Sequence, residues 1–312
     1  MKLLLSKPRG FCAGVERAID TVEKALELWG PPIYVKHEIV HNRHVVEGLK
    51  RKGAIFVEDL RDVPKGSRLI YSAHGVSPAV RQQAKERQLI EIDATCGLVT
   101  RVHSAVKRFA VRGYRIILIG HKNHVEIVGT AGEAPEVTTI VESIEDVAAL
   151  SFSQEEKLFY ITQTTLSLDD VKEITEALLR KYPHIETLPS SSICYATTNR
   201  QMALKEITDA TDLVLVVGDS QSSNSNRLRE LACKRGIPAY LINNESEIDP
   251  SWLTGVFTIG LTAGASTPEK IVQACIERLI ALGVEEVEDV EFTREDVVFQ
   301  LPKPIVNAMS SR

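Results

Sequence analysis

The chain has 312 residues, 44% apolar and 25% charged, which is ordinary for a soluble globular protein and predicts two or three domains. A formal net charge of −5 excludes a generic binder of nucleic acid or anionic membranes, though a local basic site for a small anion remains compatible with it. Leu3-Leu4-Leu5 is too short for a signal-peptide core and no segment approaches the roughly 18 apolar residues of a membrane span; with five scattered cysteines instead of a disulfide framework, the expected location is the cytoplasm.

Taken in chain order, the expected elements repeat. Cys12 is followed by Val15, Ala18, Ile19, Val22, Ala25, Leu26 and Trp29 at helical spacing, closed by Gly30-Pro31-Pro32. The strand Ile33-Tyr34-Val35 leads into a polar loop from His37 to Asn42, and a second strand at 54–57 runs into Glu58-Asp59. A third strand, Leu69-Ile70-Tyr71, ends in a loop holding His74, and Ser77-Pro78 places a cap before a proline at the first helical position. A fourth strand leads to the next cysteine.

Cys96 opens the same series, with Val99, Val102, Val106 and Phe109 on a helix that stops at Gly113. The strand Ile116-Ile117-Leu118-Ile119, a polar loop from His121 to Glu126, a strand at 137–141 and an acidic stretch from Glu142 to Asp146 follow. Leu158-Phe159-Tyr160-Ile161 then ends in Thr164-Thr165, and Ser167-Leu168-Asp169-Asp170 resembles a capping box. Cys194 opens the third series, with a weaker helical pattern at Ala203, Ile207 and Ala210. Its strands are expected at 213–217, 239–242 and Val256-Phe257-Thr258-Ile259, with a polar loop from Asp219 to Asn224 and another from Thr262 to Ser266. Thr267-Pro268 again reads as a cap and a first helical position.

Successive cysteines are 84 and 98 residues apart. The fold class is therefore α/β, with three similar modules at 1–95, 96–193 and 194–284, and a tail at 285–312 that falls outside the repeat and serves as a lid or brace. Alternating strands and helices predict mainly parallel sheets, with ligands at the carboxyl ends of the strands, where the polar loops lie. Arranged around a pseudo-threefold axis, the modules would bring three cysteines and six polar loops to one central cavity.

Taken singly, each cysteine is more often a buried structural residue. Cys12, Cys96 and Cys194, however, occupy the same slot of three modules, at a helix N-terminus that favours the thiolate. Structural zinc usually shows paired C-x₂-C spacing and four ligands. No pairs occur here, and three isolated thiolates suit one [4Fe–4S] cluster with an iron left open for substrate. Cys233 and Cys275 lie within helical patterns and read as helix-face or core residues.

The residues match a known family along nearly the whole chain. The segments Pro8 to Val15, Glu38 to Asn42, Ser72 to Ser77, Asp93 to Val99 and Gly120 to Glu126 resemble the 4-hydroxy-3-methylbut-2-enyl diphosphate reductases. So do Thr162 to Ser167, Cys194 to Gln201, Ser222 to Ser225 and Gly264 to Pro268, in the same order. The resemblance implies a three-domain α/β fold around a [4Fe–4S] cluster held by Cys12, Cys96 and Cys194. It implies reductive loss of an allylic hydroxyl to give isopentenyl and dimethylallyl diphosphates, the last step of the non-mevalonate isoprenoid pathway, with reduced ferredoxin or flavodoxin as electron donor.

Isolated His and Ser residues in loops are usually caps or surface groups. The resemblance implies instead that His41, His74, His124, Ser222, Asn224 and Ser266 bind the allylic diphosphate, with Ser223 joining through its hydroxyl or backbone and helix amides contributing. It makes Glu126 the proton source for the departing hydroxyl, relayed through Thr164, with His124 in the same catalytic loop. His37, His44, His103, His121 and His184 have no such support and are expected to be structural or exposed. Two other readings stay open: an iron–sulfur dehydratase or lyase, which needs no external electrons, and a cluster-binding sensor, which needs no diphosphate cavity.

Overall fold

The chain runs through the expected repeat. A computed structural model describes residues 1–311. Its first stretch is β1 (Lys2–Lys7), α1 (Ala13–Trp29), β2 (Ile33–Lys36), α2 (Arg43–Arg51), β3 (Ala54–Val57), β4 (Arg68–Tyr71), α3 (Pro78–Glu86) and β5 (Ile90–Asp93). The second is α4 (Gly97–Val111), β6 (Arg115–Ile119), α5 (Val125–Ala131), β7 (Thr138–Val141), α6 (Ile144–Ala149), β8 (Leu158–Thr162) and α7 (Leu168–Lys181). The third is α8 (Tyr195–Thr208), β9 (Leu213–Val217), α9 (Ser223–Lys234), β10 (Ala239–Ile242), β11 (Thr258–Ala263), α10 (Glu269–Ala281), β12 (Glu286–Glu291) and α11 (Lys303–Ser310).

The strands form three sheets, ordered β10-β9-β11-β1-β12, β3-β2-β4-β5 and β7-β6-β8, and every pairing is parallel. Parallel strands bury both faces, so their side chains alternate between two cores. In the five-stranded sheet Leu3, Leu5, Leu213, Leu215 and Leu261 face one way and pack with Val272, Cys275 and Leu279 of α10. Leu4, Val214 and Val216 face the other way, against Leu204 and Ile207 of α8 and Leu228 and Leu231 of α9. In the three-stranded sheet Ile116, Leu118 and Phe159 pack on Val102, Val106 and Phe109 of α4, while Ile117, Ile119 and Leu158 pack on Ile174 and Leu178 of α7. Tyr34, Leu69 and Tyr71 of the four-stranded sheet share a core with Ala84 of α3.

Contacts divide the chain into two compact units. The first comprises Met1–Val15, His41–Val45 and Tyr195–Val298 and contains the five-stranded sheet. The second comprises Glu16–Val40, Val46–Cys194 and Phe299–Arg312 and contains the other two sheets. Spatial grouping therefore departs from linear boundaries at 95, 193 and 284. β1 pairs with β11 and β12, so the N-terminal strand belongs to the sheet of the third series. The tail from 285, expected outside the repeat, supplies β12 to the same sheet. Among the described residues no helix is long and apolar enough to cross a membrane.

The helix signals are met in two of three cases. Ser77 and Ser167 cap α3 and α7, accepting from the Val80 and Asp170 amides, as the sequence predicts. Thr267 does not cap α10: Pro268 is the N-cap residue and Glu269 opens the helix. The Thr267 hydroxyl donates to the Val217 carbonyl at 2.9 Å and so serves the end of β9 instead. β11 also begins later and runs further than Val256–Ile259, because Thr262 and Ala263 pair with Val216 and Val217.

Candidate functional site

Cys12, Cys96 and Cys194 each stand one residue before a helix, at α1, α4 and α8. Each cysteine amide donates to a carbonyl in the loop after a parallel strand. Cys96 bonds Ala73 after β4 at 3.0 Å, Cys194 bonds Thr164 after β8 at 3.0 Å, and Cys12 bonds Ala265 after β11 at 3.2 Å. One contact thus occurs three times, pinning each cysteine backbone to the carboxyl end of a strand, where α/β sheets place ligands. All three are partly exposed and none is in a disulfide. Cys233 is exposed on α9, and Cys275 is buried under α10, where burial, with Glu245 and Glu247 adding to it, pushes the thiol up to about 12. That is an inert core thiol, unlike the three at helix starts.

In the second unit, α5 starts beside β6 and carries Glu126 on its inner side. His124 is the N-cap of this helix, and its Nδ1 accepts from the Glu126 amide at 3.1 Å. The Glu126 carboxyl is buried, and both of its oxygens are held by Thr164: Oε1 accepts from the Thr164 amide at 2.7 Å and Oε2 from its hydroxyl at 2.8 Å. Burial raises the Glu126 pKa, against the opposing pull of the two Thr164 bonds and the charge of His103. The carboxyl therefore favours holding a proton, and Thr164 can both donate and accept. The His74 ring lies edge-on to His124, with centroids 6.1 Å apart, and its Nδ1 is 3.2 Å from Ser72 Oγ.

The first unit gathers the other expected residues. Ser222 is the N-cap of α9 and accepts from the Ser225 amide at 3.3 Å; Ser223 and Asn224 form the first turn. Asn224 is buried, its Oδ1 accepts from the Ala265 amide at 2.9 Å, and its Nδ2 has no hydrogen-bond partner among the described residues. A buried, unused donor at a helix N-terminus is suited to an anion. Ser266 donates through Oγ to the His41 carbonyl at 2.9 Å. Gly264 lets the first turn of α9 come close to this loop, since a Cβ there would meet Ser225 Oγ at 2.0 Å. His41, Ser222, Ser223, Asn224 and Ser266 thus share the first unit with Cys12. His74, His124, Glu126 and Thr164 share the second with Cys96 and Cys194.

Most of the unsupported histidines have structural partners. His37 Nδ1 lies 2.7 Å from Glu58, His44 Nε2 lies 3.0 Å from the Asn243 carbonyl, and His184 Nε2 lies 3.1 Å from the Glu156 carbonyl. His103 is the exception in kind: it is buried and bonds Glu133 at 2.7 Å. Its position four residues after Val99, on the apolar face of α4, was the available signal. Arg200 was also passed over. It is fully buried, donates to the Gly10 and Phe11 carbonyls just before Cys12, and pairs with Glu295 at 3.0 Å. A lone arginine in a weak helical pattern gives no such signal in sequence.

With this geometry in hand, the chain is similar to several proteins over nearly its full length. A family model described as LytB protein matches residues 3–280. A 4-hydroxy-3-methylbut-2-enyl diphosphate reductase of Protochlamydia amoebophila (strain UWE25) is 81% identical over 311 residues, covering 100% of this chain and 99% of the relative. The protein of the same name from Chlamydia pneumoniae is 64% identical, covering 97% and 98%. Among solved structures, the E-1-hydroxy-2-methyl-but-2-enyl-4-diphosphate reductase from Plasmodium falciparum superposes with a TM-score of 0.97 at 50% identity, covering 100% of this chain and 98% of that one. A structure described as (E)-4-hydroxy-3-methyl-but-2-enyl diphosphate reductase, the terminal enzyme of the non-mevalonate pathway, gives 0.64 at 29% identity, covering 90% and 99%.

Proposed function

The chain belongs to the LytB protein family, and from that premise we propose that it reduces (E)-4-hydroxy-3-methylbut-2-enyl diphosphate to isopentenyl and dimethylallyl diphosphates, as the last step of the non-mevalonate pathway. The observation that carries the reading is the buried Glu126 carboxyl held by Thr164: an acid that keeps its proton is what the departure of an allylic hydroxyl needs. The reaction takes up two electrons and two protons and releases water. A reducing compartment, the cytoplasm, suits such chemistry, with ferredoxin or flavodoxin supplying electrons.

The three cysteines fit an iron–sulfur cluster. Their thiols stand at helix starts, they form no disulfide, and the Tyr195 hydroxyl, one residue after Cys194, lies buried where the charge of Cys12 acts on it. Cys12, Cys96 and Cys194 would hold a [4Fe–4S] cluster, which when bound supplies the electrons and a Lewis-acidic iron with an open position. The protein's own groups do the rest. Glu126 and Thr164 share the contact between Oε2 and the Thr164 hydroxyl; when the carboxyl is protonated there it donates to that hydroxyl, which passes its own proton on, and His124 orients the acid by accepting from its amide. His41, His74, His124, Ser222, Ser223, Asn224 and Ser266 supply donors for the diphosphate.

Asn224→Ala should mainly weaken substrate binding, raising KM by roughly ten- to a hundredfold while kcat changes little, because a donor to a charged group contributes roughly 1.5–3 kcal/mol. An unchanged KM would remove Asn224 from the binding set. The proposal as a whole is tested with anaerobic protein and a reduced viologen dye. The dye should be oxidised only when the allylic diphosphate is added. Product formation without dye oxidation would point to a lyase, and absence of any substrate-dependent change to a cluster-binding sensor.

A further inference from the structure

A second carboxylate follows just past the end of α5. Glu133 stands after Gly132, a C-cap residue that keeps helical dihedrals, and its amide bonds back to the Thr130 carbonyl, so Glu126, Gly129 and Glu133 recur at intervals of three and four residues. Against this stretch lies an imidazole from another helix. His103 of α4 packs against the glycine of this face: a Cβ on Gly129 would stand 3.5 Å from His103 Cε1, and one on Gly75 would stand 3.1 Å from the same atom. The ring is therefore wedged between α5 and the loop of His74. Its Nδ1 is 2.7 Å from Glu133 Oε1, its buried Nε2 has no hydrogen-bond partner among the described residues, and Lys107 Nζ pairs with Glu133 Oε2 at 2.9 Å.

This arrangement suits a particular difficulty of the proposed chemistry. Once Glu126 gives up its proton, a carboxylate remains in a buried position, held among the described residues by two bonds from Thr164. A protonated imidazole packed on Gly129, three residues along from Glu126, would lower the cost of that charge without touching the substrate. We propose that His103, fixed by Glu133, is a positioning residue that stabilises the carboxylate form of Glu126 and so sets its strength as an acid. The inference rests on the acid role assigned to Glu126. Among the described residues, Glu133 bonds the ring and Lys107 pairs with Glu133; His74 stands on the loop packed against the ring, and His124 caps the helix that carries Glu126. Consistent with this, the charge of His103 works against the burial that raises Glu126.

The test uses the cluster-loaded protein with His103→Gln and, separately, Glu133→Gln. Lys107 still pairs with Glu133 in the first variant, so no buried carboxylate is left alone. Iron content, melting temperature and KM should stay near those of the unaltered protein. The kcat should fall by about tenfold, since a weaker acid transfers its proton more slowly. Protonated Glu126 is the active form, so turnover declines as pH rises through its pKa; with the cation gone that pKa rises further, and the alkaline limb of the kcat profile should move to higher pH. A limb that stays in place, or kcat and KM changing together, overturns the inference. Should His103→Gln fail to hold iron, Glu133→Gln carries the same test. In a Glu126→Gln background, His103→Gln should cost less than about twofold more. A full multiplicative loss overturns the inference while leaving Glu126 as the acid, whereas near-normal turnover of Glu126→Gln alone removes the acid reading and this inference with it.

Discussion

Replacing Glu126 with Gln should lower kcat by about a hundredfold or more while leaving iron content and substrate affinity close to normal. The amide keeps the size of the carboxyl and its oxygen can still accept from Thr164, which donates both of the present bonds, at 2.7 and 2.8 Å. What it lacks is a proton to give. Stability should move the other way. Burial raises the folded-state pKa of Glu126 above its unfolded value. A raised acid contributes most at low pH, and its contribution is lost as pH rises through the folded pKa, because folding then requires a buried charge. Glu126→Gln removes that loss, so the variant should unfold less readily than the unaltered protein at alkaline pH. Inactivity together with undiminished alkaline stability identifies a missing proton donor, and near-normal turnover would take Glu126 out of the reaction.

Cys96→Ser should be as damaging by a different route. A hydroxyl is a poor substitute for a thiolate toward iron, so bound iron and turnover should both fall by more than about tenfold. The N–H bond from residue 96 to Ala73 involves only backbone and survives the change. The loop should therefore keep its place, and circular dichroism should report an intact fold. Cys233→Ser, on the exposed face of α9, is the matched control and should retain its iron. Full iron content in anaerobically purified Cys96→Ser would contradict the ligand assignment.

Much of the fold was legible because its signals are local. Alternating cores make β9, Leu213–Val217, an unbroken apolar run, and serine caps with helical periodicity marked α3 and α7. Each cysteine could be set at a helix start from the pattern behind it. The pairing of β1 with β11 and β12 was not legible, because partners some 250 residues apart leave no mark in either segment. Thr267 looked like a cap in sequence, yet the Val217 carbonyl competes for its hydroxyl, a contact that only the folded sheet creates. The α8 pattern reads weakly for a similar reason: its buried side chains include Arg200, whose partners Gly10 and Glu295 lie far along the chain.

The candidate site followed the same division. The polar loops at strand ends announced themselves by composition, and the resemblance attached chemistry to His41, His74, His124, Glu126, Thr164, Ser222, Ser223, Asn224 and Ser266. The repeated bond from a cysteine amide to a strand-end carbonyl, by contrast, joins segments 23 to 253 residues apart and emerges only in three dimensions. It gives the threefold pattern of cysteines a structural cause, since each is fixed at the carboxyl end of a strand by the same contact. The resemblance gives His103 no role, and its pairing with Glu133, 30 residues on, exists only in the fold.

The most direct test of the account is the electron balance of the reaction under anaerobic conditions. Dye oxidation and products are counted together as the allylic diphosphate is consumed. Two electrons should be taken up for each molecule of isopentenyl or dimethylallyl diphosphate formed. Consumption of the substrate with no electrons taken up, or products that keep the hydroxyl oxygen, would contradict it.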